Sequence, residues 1–227
     1  MSMSVPAPIN LLLVDDHPIV RLGIVQLLHL EPDFRVKWEA SSVEEATAAC
    51  DSETPDMAIV DISLGAESGI ELIRKLTRRR PSIQILAISM HDESLYAERA
   101  LRAGAKGYVP KHSAAKNIVA ALRRIRSGEL YVSEETRSRL LGRAMGQNQE
   151  ALPSPFAPLS DRELEVFRLI GLGLRKSELA ARLNLSVNTI ESHRASLKKK
   201  LKVKSSAELA KLAVLHFEGE RNHNATR

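Results

Sequence analysis

Apolar residues recur along the first 130 positions in two rhythms, short runs rich in β-branched and aliphatic side chains and longer stretches with a helical period. The runs predict strands over residues 9–15, 34–40, 57–61, 84–89 and 107–110. The periodic stretches between them predict helices over 18–30, 43–50, 69–80, 94–103 and 114–127, the second opened by Ser42 with Glu45 three residues on, a capping-box pattern. A short helical pattern follows over 134–143, and residues 146–158 then lose all periodicity and hold Pro153, Pro155 and Pro158, as a linker does. Ser160 and Glu163 form a second capping-box pattern, flanked by Leu159 and Leu164 at the spacing of a hydrophobic staple. Helical patterns continue over 161–171, 176–183, 187–201 and 205–217, and residues 218–227 are polar and predicted to fray.

Strands alternating with helices demand a parallel sheet covered on both faces, because parallel neighbours are joined by right-handed crossovers. Five such units suit the flavodoxin-like order 2-1-3-4-5. The chain therefore reads as an α/β (βα)5 domain over 9–127, a short helix and linker over 128–158, a small all-α four-helix domain over 159–217 and a polar tail over 218–227.

Charge separates the two halves. Residues 1–150 carry 19 Lys+Arg against 20 Asp+Glu, a net of −1, whereas 151–227 carry 14 against 8, a net of +6. A basic module on a neutral domain is what a polyanion binder would show, and on charge alone a solvated basic face on a small helical domain is the alternative. No apolar run approaches the ~18 residues of a membrane span, and the first residues lack a secretion signal, so a soluble, cytoplasmic protein is expected. The single cysteine, Cys50, falls in an apolar helical pattern and reads as a small core residue.

In an open α/β sheet, ligands collect beyond the carboxyl ends of the strands where strand order reverses. Asp15 and Asp16 end the first strand, Asp61 the third and Ser89 the fourth, and Lys111 follows the fifth, so these side chains converge on one rim. Three carboxylates together repel unless a cation joins them. Oxygen ligands alone point to a hard ion such as Mg2+. With that ion held by Asp16 and Asp61, and by Asp15 largely through water, Asp61 is the natural acceptor of a phosphoryl group, while Lys111 and Ser89 pair with its oxygens.

These residues resemble the receiver domain of two-component systems, through Leu13-Val-Asp-Asp-His-Pro18, Met57-Ala-Ile-Val-Asp-Ile62, Leu86-Ala-Ile-Ser-Met90 and Ala103-Gly-Ala-Lys-Gly-Tyr-Val-Pro-Lys111. The resemblance implies that the Ser63 backbone carbonyl joins the metal ligands and that Tyr108 is the aromatic that turns inward when Ser89 engages the phosphoryl group. Two positions depart from the pattern: Gly65 stands where receivers generally have proline, and His112 follows Lys111 where proline is usual.

In the C-terminal domain, 176–183, a three-residue turn and 187–201 make a helix-turn-helix, with Ala180 at the close approach and Leu185 as the apolar plug. Val187, Ile190, Leu197 and Leu201 share the face placed against the core. Glu191, Ser192 and Ala195 are the base-facing candidates on the opposite side. Asn188, Thr189, Arg194, Lys198 and Lys200, with Lys176 and Ser177 on the preceding helix, are candidates for phosphate contact. His193 lies on the flank, to be packed rather than base-reading.

Leu159-Ser-Asp-Arg-Glu-Leu-Glu-Val-Phe-Arg-Leu-Ile170, Glu178-Leu-Ala-Ala-Arg-Leu183 and Val187-Asn-Thr-Ile-Glu-Ser-His-Arg194 are similar to the LuxR-type helix-turn-helix. A receiver joined to this module is the layout of the NarL/FixJ family, which implies double-stranded DNA and a sensor histidine kinase as partners and a homodimer at least on DNA. The stripe of Leu209, Leu212, Ala213 and Phe217 serves either a dimer contact or the core. An enzyme working through an aspartyl phosphate, of the haloacid-dehalogenase kind, would carry a second acid two residues after the nucleophile, where Ser63 stands.

Overall fold

A computed structural model describes residues 7–65, 67–90, 93–145, 155–156 and 158–225. The chain divides into two compact units, one up to residue 148 and one from 149. In the first, β1 (Ile9–Val14), β2 (Phe34–Ala40), β3 (Met57–Asp61), β6 (Gln84–Ser89) and β7 (Gly107–Pro110) form a parallel sheet in the order β2-β1-β3-β6-β7. This is the flavodoxin-like order. The helices α1 (Pro18–His29), α2 (Val43–Ser52), α3 (Gly69–Arg79), α4 (Glu93–Ala103) and α5 (Ala114–Arg126) supply the crossovers and the last cover. The central strands are buried on both faces, which is why Leu11–Val14 and Met57–Val60 read as continuous apolar runs rather than alternating ones. Cys50 is in the core, and burial pushes its thiol up.

A two-residue ladder of β4 (Ser63–Leu64) and β5 (Glu67–Ser68) was invisible to periodicity, because strands this short contain no repeat. Its turn explains the missing proline. Gly65 has φ +52°, whereas proline is locked near −65°, so this turn excludes the residue usual in receivers. At Gly69 an added Cβ would stand 1.9 Å from the Asp61 carbonyl oxygen, so only glycine lets α3 begin this close to the end of β3.

The short helix α6 (Glu134–Ala144) belongs to the first unit and packs on α4. The chain leading into it extends the sheet, since the Tyr108 amide donates to the Tyr131 carbonyl at 2.8 Å and the Tyr131 amide to that of Lys106 at 3.0 Å. Most of the linker expected over 146–158 lies outside the described residues. Phe156 is an exception with a role of its own, buried against Phe167 and His216 at ring-centroid distances of 5.1 and 4.2 Å.

The second unit is all helical, α7 (Asp161–Gly171), α8 (Lys176–Arg182), α9 (Val187–Lys200) and α10 (Ser206–Ala225). The capping box at Ser160 and Glu163 forms in both directions. Leu159 and Leu164 are both buried, as a staple requires. The frayed tail expected from 218 is corrected in part: backbone helix runs on to Ala225, because the apolar stripe ends at Phe217 but no proline or cap stops the helix there. Among the described residues no helix is long and apolar enough to cross a membrane.

Candidate functional site

Strand register gathers the reactive side chains. Val14 pairs with Val60, Asp61 with Ile88 and Ser89 with Pro110, so Asp15, Asp61, Ser89 and Lys111 all leave the sheet at its carboxyl edge. Asp15 is 0% exposed, Asp61 1% and the Lys111 side chain 5%. The Lys111 ammonium lies 2.7 Å from Asp15 Oδ2 and 2.7 Å from Asp61 Oδ2. Asp61 Oδ1 accepts from the Ser63 amide at 3.1 Å, and Asp15 Oδ1 from the His17 amide at 2.8 Å. Ser89 and Tyr108 are buried beside this edge, on β6 and β7. Among the described residues every peptide bond is trans, and Lys111 opens a 3-10 turn over Lys111–Ser113.

Burial pushes the Asp61 carboxyl up to about 6, against the opposing pull of the Lys111 ammonium, and the Asp15 charge adds to the rise. For Lys111 burial acts downward, but the carboxylates of Asp61 and Asp15 overcome it and hold the ammonium above its ordinary range. Three carboxylates face one ammonium, which leaves a deficit of two positive charges. Asp15, Asp16 and Asp61, with His17, bring ligand atoms within 4.8 Å of one another, so the cluster can hold a metal ion, and the charge deficit fits a divalent one. Access is from the side of Asp16, which is less buried than its two fellows.

Two residues of this site escaped the sequence reading. His17 places Nδ1 2.6 Å from Asp16 Oδ1, and its position next to the acid pair was the available signal. Arg21 donates to the Asp15 carbonyl at 2.6 Å and to Glu39 at 3.1 Å, tying α1 to the ends of β1 and β2; nothing in its spacing marked it.

In the second unit α8 and α9 are joined by a tight turn in which Asn184 takes φ +48°, a conformation asparagine tolerates better than most residues. Ser186 caps α9 by accepting from the Thr189 amide at 3.0 Å. Ile190 and Leu197 are fully buried, Ala180 is buried and Leu185 half-buried. Asn188, Glu191, Ser192 and Ala195 form the exposed front, with Lys198 half-buried beside them.

Two expectations need correction. Val187 is 46% exposed rather than in the core, since it is the first residue of α9 and precedes the helix contact. Arg194 is 9% exposed, because it stands four residues after Ile190 and three before Leu197 and shares their inward face. Lys200 is exposed and its ammonium also pairs with Glu163, 2.6 Å from Oε2. Lys176 likewise pairs with Glu191, whereas Ser177 is exposed. His193 is half-buried, and burial, with the Arg162 charge, draws its imidazole down.

Comparison with known proteins finds matches for both units. The family model of the response regulator receiver domain matches residues 11–123, and that of the luxR family of bacterial regulatory proteins matches 157–213. The response regulator UvrY of Escherichia coli is 35% identical over 92% of this chain and 94% of its own length. The nitrate/nitrite response regulator NarL of the same species is 32% identical over 92% of this chain and 96% of its own. Among solved structures, RcsB from Salmonella enterica serovar Typhimurium, bound to the promoter rprA in the presence of the phosphomimetic BeF3-, superposes with a TM-score of 0.60 at 28% identity, covering 90% of this chain and 97% of that one. Proteins of this layout are transcription factors rather than enzymes that turn over a substrate. With an acidic pocket at the carboxyl edge of the sheet in its first unit and a helix-turn-helix in its second, the chain belongs to the NarL/FixJ family of two-component response regulators.

Proposed function

We propose that this protein is a cytoplasmic transcription regulator switched by phosphorylation of Asp61, and the observation that carries the reading is the Lys111 ammonium held 2.7 Å from Asp61 inside a three-carboxylate pocket. A sensor histidine kinase would supply the phosphoryl group: an Asp61 carboxylate oxygen forms the new P–O bond as the P–N bond of the phosphohistidine breaks and the imidazole leaves. A bound Mg2+ would supply the missing positive charge, with Asp16, Asp61 and the Ser63 carbonyl as its protein ligands and Asp15 acting through water. Lys111 and Ser89 pair with the phosphoryl oxygens, and Tyr108 packs inward behind Ser89, so that a local change of charge biases the receiver between two arrangements. The protein as it exists should therefore take up label from acetyl phosphate in the presence of Mg2+ and lose that ability in excess EDTA; labelling indifferent to the metal would sink the proposal.

The second unit would bind duplex DNA with α9 in the major groove, a reading supported by the promoter-bound state of RcsB. Asn188, Thr189, Ser177 and Lys198 are the phosphate-contact residues best placed to serve, since Arg194, Lys200 and Lys176 have other surroundings. One unit this small buries little DNA, so a homodimer on paired half-sites is the effective form. Lys198→Ala should weaken binding to all sequences alike and reduce the slope of log affinity against log salt by about 1. An unchanged slope in a gel-shift titration would remove Lys198 from the phosphate contacts.

A further inference from the structure

Glu191 is the only acidic side chain on the front of α9, and a bare carboxylate there would be driven off by the phosphates of a duplex. It is not bare. The Lys176 ammonium crosses from α8 to pair with it, and that hydrogen bond, followed by the charges of Lys176, Arg194 and Lys198, keeps the carboxyl below its usual range. The pair joins two helices, so it fixes the carboxylate laterally as well as neutralising it.

The neighbours of Glu191 have a matching character. Ser192 Oγ donates to the Asn188 carbonyl at 3.1 Å, which engages its proton within the helix and leaves lone pairs for an outside partner. Ala195, one turn further, adds only a methyl group. Glu191, Ser192 and Ala195 thus present two acceptors and an apolar contact, with no donor among them. Such a surface disfavours guanine, whose major-groove edge is N7 and O6, both acceptors. Adenine offers the N6 amine beside the N7 acceptor, which repels a carboxylate. Cytosine offers the N4 amine with no acceptor on its own major-groove edge.

We propose that Glu191 accepts a hydrogen bond from cytosine N4 in each half-site, and that Lys176 is a positioning residue that aims the carboxylate and shields it from the phosphates. The proposal rests on the reading that α9 enters the major groove. Lys176 on this account serves sequence rather than phosphate.

The test uses the full chain, treated with acetyl phosphate and Mg2+, to select sequences from a pool of random duplexes. The wild type should enrich cytosine at one position of each half-site by about tenfold, the worth of one good base contact. Glu191→Ala should flatten that position alone and leave the others as they were. Lys176→Met should reduce the same cytosine preference and Lys176→Arg should restore it, a pattern that a merely structural lysine would not produce. Selective binding by the wild type with an identical base profile in Glu191→Ala overturns the cytosine contact and leaves the groove reading standing. No duplex binding by the wild type overturns both.

Discussion

Asp61→Asn should reduce Mg2+-dependent labelling by acetyl phosphate to background and, in the same protein, raise the stability of the first unit. Asparagine keeps the size and the hydrogen bond from the Ser63 amide, but its amide has no charge to attack phosphorus and is a poor metal ligand. The gain in stability follows from the burial of the native carboxyl. Asp61 is raised from its ordinary 3.8 to about 6 by burial, so ionising it costs more in the folded chain than in the unfolded one. A group raised in this way lowers stability as pH climbs from about 4 to about 6, and the full penalty applies at neutral pH. That net rise already includes the attraction to Lys111, so at roughly 1.4 kcal/mol per unit removing the charge should stabilise the first unit by on the order of 3 kcal/mol. Denaturant unfolding in EDTA at pH 7 would register this. A variant that is both unlabelled and less stable would mean that the Asp61 charge is needed for folding, and the pocket would then be a structural ion cluster.

That coupling was only half legible in the sequence. The strand ends could be read because the central strands are apolar throughout and the first polar residue after each run marks its exit from the sheet, which is how Asp15, Asp61 and Ser89 were found. Lys111 was placed on the same rim by topology, but its contact with both Asp15 and Asp61 depends on a rotamer chosen across 50 residues of chain. The same limit appears in α9. Periodicity placed Ile190 and Leu197 on the core face correctly, yet it assigned Arg194 by its chemistry when position put it inward, and it put Val187 in a core that begins only at the second turn. Phe156 was assigned to the linker by its proline neighbours, although a single aromatic can dock on a neighbouring core without any periodic context. Long-range partners of flexible cations, and lone aromatics in irregular chain, are what pattern reading cannot reach.

The strongest such partner is Glu163, and replacing it should unfold the DNA-binding unit before any other single change described above. Glu163 is 5% exposed and its carboxylate accepts three bonds: Oε2 from the Ser160 amide at 2.7 Å, which closes the capping box of α7, and from Lys200 at 2.6 Å, and Oε1 from Ser196 at 2.6 Å. Burial alone would raise this carboxyl, but the bonds from Lys200, Ser196 and Ser160 outweigh it and hold the group at about 2. Because its folded value lies below the ordinary 4.5, its contribution is complete above about pH 4.5 and is lost as pH falls toward 2. The shift corresponds to about 3 kcal/mol. Glu163→Gln should therefore lower the melting temperature of the second unit by at least ~10 °C at pH 7, as a small domain shifts several degrees per kcal/mol. The difference from the wild type should narrow as the pH is lowered to 3. Calorimetry on the full chain would follow the second unit separately from the first, and a transition unmoved by the substitution would deny Glu163 this role. Ser196 and Lys200 both lie on α9, so the same change also frees the C-terminal half of the helix that the DNA reading depends on. Duplex affinity should fall with it, even though Glu163 itself is too buried to touch the duplex.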